Sequence, residues 1–458
     1  MAICVKIIYI NDYTQKSAFS KQIGEKMRFG LAKTEITPRF PVKIACTGNF
    51  TDNYTAIHDD VYVRCLLMDD GVRKALFMSF ELLFHSRELN NAVAEYAKEK
   101  YGIDTEGVIV TYTHAHTAPA VKGYNPGYHN DEYEEFLVIK AKECLDKAMS
   151  SLFEGYLTYG SYETELNICR RRIVDGVCKY GPNPDGERDT QMFVMCVRDC
   201  DDGIRGILVN YACHPVFYPH MTEISAEFPG RVCQLLESEY YGCISLYTQS
   251  AAGDVRPLPT ARINEDGTAE WAGEFGFSDI DKFAKTMYEG INSFISSGRL
   301  KKAETAIECD RFEMIARLER APKEEFEAVY ERLKTRAPSP TFENCRLIVN
   351  GLYEAMPDQL TIYCNTLKLC DDLYIAAMGG EPCNNVKKIV KSAFEGKSVC
   401  FMGYTDSCAY IVDDVILDEG GYEPESYREY GLAGRFKKGL NKLYFDGFSA
   451  SYKRVNKR

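Results

Sequence analysis

Histidine is scarce in this chain, with seven residues in 458. Long apolar runs are missing as well: none approaches the roughly 18 residues that a membrane-spanning helix needs, so no transmembrane segment is expected. A basic excess is absent. Asp and Glu outnumber Lys and Arg by 67 to 55, a net charge of −12, which argues against an extended nucleic-acid footprint. The 18 cysteines include no CxxC pair and no Cys₄ or Cys₂His₂ spacing, which argues against a structural zinc module. Cys65, Cys196, Cys213, Cys233 and Cys400 lie in apolar runs, where cysteine behaves as a small buried hydrophobe. The opening residues Met1-Ala2-Ile3-Cys4-Val5-Lys6 lack the basic stretch and long apolar segment of an export signal, so reduced thiols and a cytoplasmic location are expected.

What is present is an alternation of strand and helix signals. Met27–Pro38 reads as a strand that stops at a proline. Val61–Met68 and Ala75–Phe80 read as a hairpin around Asp69-Asp70-Gly71. Ser86–Tyr101 has Leu89, Val93 and Tyr96 at helical spacing and Gly102 as a stop. Asp131–Met149 is a second expected helix, and Leu157–Leu166 a strand that leads to Arg170-Arg171-Arg172. Gly176 to Asp189 reads as loop. Met192–Arg198 and Ile204–Tyr211 form a further hairpin, and Phe228–Tyr240, Ile280–Ile295, Lys323–Thr335 and Pro340–Met356 are helical. Later strands are expected at Cys243–Thr248, Thr305–Phe312, Gln359–Leu367, Leu373–Ala377 and Val399–Met402, and the tail Tyr427–Tyr444 reads as a docked helix. The expected class is α/β, with mixed β-sheets flanked by helices and an active site at strand ends. Candidate residues spread from 114 to 422, so residues 27–458 are expected to form one catalytic domain after an extension over residues 1–26.

The most informative stretch is Val108 to Pro119, a β-branched run that drives into His114-Ala115-His116. On a strand, residues two apart face the same side, so both imidazoles can serve one pocket. They could be a pair of zinc ligands, or one ligand beside an acid/base. His214, in Cys213-His214-Pro215, and Glu381, after Gly379-Gly380, also stand where a strand gives way to a turn. Ligands in α/β folds bind beyond the carboxyl ends of strands. Two histidines and one carboxylate leave an open position on zinc, the catalytic rather than the structural arrangement.

Several pieces, in order from about Phe29 to Glu423, resemble the catalytic domain of the neutral/alkaline (non-lysosomal) ceramidase family. They are Gly30 through Pro38; Thr113-His114-Ala115-His116-Thr117-Ala118-Pro119, similar to the family's THTHSGP; Asn210-Tyr211 leading into Cys213-His214-Pro215; Ala252-Gly253-Asp254-Val255; Gly380-Glu381; and Gly403 through Tyr422-Glu423. The resemblance implies a zinc-dependent amidase. It implies His114 and His214 as zinc-binding histidines, Glu381 as the carboxylate ligand and a tyrosine as the fourth. Tyr410 suits that place because it precedes Tyr422 by twelve residues, as in the family; Tyr404 is the alternative. His116 resembles the family's second histidine, a proton carrier beside the scissile group. Arg170 stands where the family has an arginine, with Cys169 replacing the preceding asparagine, and Arg171 or Arg172 could take its place. Arg170 and Tyr422 would steady the oxyanion. Asp254 is expected in the turn, as a partner of a ligand rather than a ligand.

One departure matters. The family carries a serine, its proposed nucleophile, soon after the Gly-Asp; here the run is Gly253-Asp254-Val255-Arg256-Pro257, with Arg256 in that place. A permanently charged guanidinium cannot attack a carbonyl. Ser250 lies on the other side of Gly253-Asp254. The expectation is therefore a zinc hydrolase in which metal-bound water attacks an amide, or an ester, carbonyl. Arg256 beside the metal suits an anionic substrate better than a neutral lipid. Two other readings use the same residues: a true ceramidase releasing sphingosine and fatty acid, and a zinc- or ligand-binding homologue without activity.

Overall fold

A computed structural model describes the chain apart from residues 1–26, 46–52, 85, 122–129, 218–221, 274, 337–338, 408 and 458. The expected extension over residues 1–26 thus lies outside the described residues. A nine-stranded sheet and a five-stranded sheet dominate. The larger runs Ile244–Gln249, Ile204–Tyr211, Gln191–Asp199, Phe153–Glu163, Arg28–Glu35, Tyr62–Asp69, Lys74–Phe80, Val108–Tyr112, with Lys301–Ala303 beside Phe153–Glu163. Most neighbours are antiparallel, but Lys74–Phe80 runs parallel to Val108–Tyr112, and Ile204–Tyr211 parallel to Ile244–Gln249. The smaller sheet runs Ser398–Met402, Leu373–Met378, Gln359–Lys368, Glu308–Arg320, Gly434–Phe436, its first pair parallel.

The apolar runs in these strands reflect burial on both faces. Along Tyr62–Asp69, Val63, Cys65 and Leu67 pack outward against helices Arg87–Tyr101 and Asp131–Ser150, while Leu66 and Met68 pack inward. The inward residues meet Ile375, Ala377, Cys400 and Met402 of the smaller sheet. The outer face of that sheet, with Tyr374, Ala376 and Phe401, is covered by helix Leu440–Val455 and its neighbours. The result is helices, sheet, sheet, helices, a mixed α/β architecture as expected. Burying one large apolar side chain contributes about 1.5–3 kcal/mol, against about 0–1 kcal/mol for an exposed ion pair such as Arg39–Glu35. The two-sided cores therefore set the stacking.

Three expectations change. The segment read as loop from Gly176 contains a strand, Val177–Asn183, paired with Asn167–Val174. The Asp175-Gly176 turn between them has both residues at positive φ, the backbone that closes a tight hairpin. The tail helix begins later, at Leu440. Gly431, Gly434 and Gly439 interrupt the earlier stretch, which supplies the strand Gly434–Phe436 instead. Pro340–Met356 is helical only to Leu347 in regular form, since Gly351 at φ 134 breaks it. Among the described residues no helix is long and apolar enough to cross a membrane.

Candidate metal centre

The carboxyl ends of strands from both sheets meet at one point. Val108–Tyr112 leads to His114, Ile204–Tyr211 to His214, Ile244–Gln249 to the Ala252 turn, and Leu373–Met378 to Glu381. The sheets are stitched together there. The Tyr112 amide donates to the Tyr404 carbonyl at 3.1 Å, and the Gly403 amide to the Gln249 carbonyl at 2.9 Å. The buried Gln249 amide group donates at 2.9 Å to both the Thr113 and Cys213 carbonyls, one residue before each of two histidines. Gly253 presses against the Glu381 and Pro382 carbonyls so closely that a Cβ would sit 2.7 Å from the first. Glycine is required at that approach.

The histidine pair is not on the strand. The strand ends at Tyr112, His114 takes a left-handed backbone with φ 66, and His116 lies in a turn. The two-residue alternation of a strand therefore does not aim the rings. The turn does, and it brings His114, His116 and His214 into one buried group whose ligand atoms all lie within 4.8 Å of one another. Exposures are 1%, 4% and 2% in that order, and Glu381 is at 2%. His114 Nε2 lies 3.1 Å from His214 Nε2, and His116 Nε2 lies 2.9 Å from it. Glu381 Oε2 stands 3.2 Å from His114 Nε2.

Backbone carbonyls on the far side of two of the rings place a proton on Nδ1. His114 Nδ1–H donates to the Leu83 carbonyl at 2.8 Å, and His214 Nδ1–H to the Ala252 carbonyl at 3.2 Å. A neutral imidazole with its proton on Nδ1 presents a bare lone pair at Nε2. Burial holds His214 well below the usual histidine range, with the neighbouring Arg170 charge adding to it. Two lone pairs at 3.1 Å repel unless a cation lies between them. Zinc–nitrogen bonds of about 2.0–2.1 Å put adjacent tetrahedral nitrogens about 3.3 Å apart, close to what is observed. Glu381 supplies the anionic donor: Oε1 accepts from the Tyr430 hydroxyl and Oε2 has no hydrogen-bond donor. The donor set fits a metal ion.

His116 differs from the other two. Its Nδ1 is buried and has no partner, so nothing fixes its tautomer. Burial, together with the nearby Arg256 and Arg170 charges, holds it well below the usual range. Arg170 is buried beside the centre. Its Nε donates to Glu423 Oε1 at 3.0 Å, its guanidinium lies 5.3–5.4 Å from the rings of Tyr180, Tyr410 and Tyr422, and its Nη2 lacks a partner. Arg171 pairs with Glu423 and Glu419 and is thereby occupied; Arg172 donates to the Ala269 carbonyl.

The two candidate tyrosines stand differently: Tyr404 touches His114, and Tyr410 is placed beside Glu381 and Arg170. Tyr404, at φ 58, sets its ring 4.6 Å from that of His114, and its buried hydroxyl has no partner. Tyr410 is paired through its backbone with Glu381, and its ring lies under Arg170. Burial pushes both phenols well up; the Glu381 charge raises both further, while Arg170 opposes. Tyr422 packs its ring 5.5 Å from Tyr410, but its hydroxyl donates to Glu429 at 2.7 Å. Asp254 does not hold a histidine. Its Oδ1 accepts from the Asn384 amide at 2.8 Å, and burial pushes its carboxyl up to about 7. Ser250 donates to Asp189 at 3.1 Å, away from the imidazoles.

Sequence reasoning missed Tyr430, Gln249 and the Leu83 and Ala252 carbonyls. Tyr430 fell in a stretch read as helix. Carbonyls carry no side-chain signature, and Gln249 is an ordinary residue in an apolar strand.

The class this arrangement defines is a mixed α/β protein with a buried imidazole–carboxylate centre at strand ends. No family model matches the chain. Among solved structures, a neutral ceramidase from Pseudomonas aeruginosa is similar over 94% of this chain and 75% of that one, with a TM-score of 0.71 at 17% identity. A structure of a ceramidase complexed with C2 is similar over 94% and 76%, with a TM-score of 0.71 at 16% identity. The fold is neutral ceramidase-like.

Proposed function

We propose that this chain is a zinc-dependent hydrolase of amides, or of esters, that uses water as its nucleophile. The observation that carries the proposal is the set of bare Nε2 atoms of His114 and His214 facing each other beside Glu381. His114, His214, Glu381 and Tyr410 would hold the ion, with Tyr404 as the rival fourth donor. Zinc so held supplies a Lewis acid and makes water more acidic, to a pKa of about 7. His116 would carry the proton, since its Nε2 faces the cluster and its Nδ1 is unpaired. Arg170, with a free Nη2 N–H aimed from a buried position, would bind the developing oxyanion. Tyr422 would assist only by releasing Glu429. Arg256 stands where the family's serine would be, and Ser250 donates to Asp189; both points favour water as the nucleophile.

Metal analysis of the purified protein tests this. Stoichiometric zinc is expected in the parent and at most a small fraction in His114→Ala, with thermal melts verifying that the variant folds. Zinc-free protein that still cleaves amides would sink the proposal. Cleavage of a short-chain ceramide is the second reading, supported by the fold likeness. Released sphingoid base at rates matching the best simple amide would favour it.

A further inference from the structure

Arg256 is unlike the other arginines around the centre. Arg170 and Arg171 are neutralised by Glu423 and Glu419. Among the described residues Arg256 has no carboxylate ion-pair partner. Its head is nevertheless held: Nη2 donates to the Val216 carbonyl at 2.8 Å, and Nη1 reaches the Tyr180 hydroxyl at 3.4 Å. The guanidinium lies 4.8 Å from the ring of Trp271, the only tryptophan in the chain. Two donors remain without acceptors, Arg256 Nε and Trp271 Nε1, and both atoms are buried. Burying an N–H unpaired costs about 1–3 kcal/mol, and more when the group is charged, so two adjacent orphans call for a ligand that supplies oxygens.

The backbone places this pair next to the centre. Arg256 follows the Ala252 carbonyl that holds His214 by four residues and lies on the short strand Val255–Pro257, paired with Asn167–Val174, the strand that bears Arg170. Tyr180 touches both guanidiniums. Arg256 is partly exposed while Arg170 is buried, so Arg256 lies nearer the solvent side of the centre.

We propose that Arg256 Nε and Trp271 Nε1 form a subsite that binds a carboxylate on the substrate, so that the preferred substrates are amides bearing a carboxylate near the scissile bond, as in N-acylated amino acids. Two N–H donors match the two oxygens of a carboxylate; a phosphate presents three and would leave one unpaired. The word substrate here rests on the hydrolase reading; the binding claim does not.

Calorimetry on the zinc-loaded protein tests the subsite with three probes: N-hexanoylglycine, its uncharged primary amide, and N-hexanoyl-O-phosphoethanolamine. The carboxylate is expected to bind at least about tenfold more tightly than the amide, the scale of a charge-assisted hydrogen bond, and to change the emission of the single tryptophan over the same concentration range. Arg256→Gln, checked for folding by thermal melts, is expected to bring the two affinities within about twofold, with Arg256→Lys between. Equal affinities in the parent, a preference that survives Arg256→Gln, binding with silent tryptophan emission, or a phosphate preferred tenfold over the carboxylate would each overturn the proposal. A carboxylate preference in a protein that hydrolyses nothing would count against the hydrolase alone. Zinc-dependent turnover without the preference would count against the subsite alone.

Discussion

The floor of the site and its rim are built from opposite materials. On the floor, His114 and His214 have their Nδ1 protons taken by carbonyls, and their free nitrogens point at each other. On the rim, Arg256 and Trp271 have donors with nothing to receive them. The floor presents lone pairs suited to a cation, and the rim presents N–H donors suited to an anion. In the proposed subsite, a molecule that brings a carboxylate to the rim would set its scissile carbonyl over the floor. Arg170 stands between the two, paired with Glu423 yet with one N–H free, and its assignment decides where the boundary falls.

The largest expected effect follows. If Arg170 belongs with the floor and serves the transition state, Arg170→Gln lowers kcat by about 10²–10³-fold, the range for loss of one oxyanion donor, with little change in KM. Steady-state kinetics on any amide that turns over checks this. A raised KM with unchanged kcat would move Arg170 to the rim and break the division. Arg170 also anchors Glu423, so melting curves must show the variant folded.

A smaller effect separates the tyrosines. Loss of a ligand or of its supporting partner typically weakens metal binding about 10–100-fold. Zinc affinity by chelator competition is expected to fall by that amount in Tyr410→Phe and to stay within about threefold in Tyr404→Phe. The reverse order would give the fourth position to Tyr404, whose unpaired hydroxyl beside His114 makes it a real competitor.

Much of the floor was legible in the chain because its side chains are chemically rare. Four residues, His114, His116, His214 and Glu381, stand where strands give way to turns that bear glycine or proline, and the structure gathers all four. Strand spacing does not explain the histidine pair: a left-handed His114, not strand alternation, turns the rings together. A backbone in that region is a tertiary outcome, forced by the Leu82 carbonyl that accepts the His114 amide at 2.9 Å, and no local pattern announces it. Strand positions were readable from apolar runs, but the pairing of two sheets face to face was not, since residues such as Leu66 and Ile375 look the same against a helix or a sheet. The rim was half legible. Arg256 drew notice as a departure from a family pattern; Trp271 did not, because its role depends on a hairpin that folds back over the arginine.

The smallest expected effect tests whether the rim keeps its charge. Glu227 is fully buried near Arg256, starts helix Glu227–Glu239 at φ 53, and has no well-formed hydrogen bond to either carboxylate oxygen. Burial pushes its pKa up to about 8 from 4.5, with Arg256 and the Phe217 amide pulling the other way. Below the unfolded value the group is protonated in both states and costs nothing. Between the two values the unfolded chain ionises while the folded chain keeps its proton, so stability falls as pH rises, by up to about 1.4 kcal/mol per unit, and levels off above the folded value. Glu227→Gln removes this dependence and conserves shape. Urea unfolding is therefore expected to show the variant equal to the parent at pH 4.5 and more stable by about 1–3 kcal/mol at pH 8, a discount on the full linkage for relaxation around a buried acid. Parallel pH curves for the two proteins would mean that Glu227 is ionised in the fold. It would then neutralise Arg256, the rim would carry no net charge, and the contrast between floor and rim would fail.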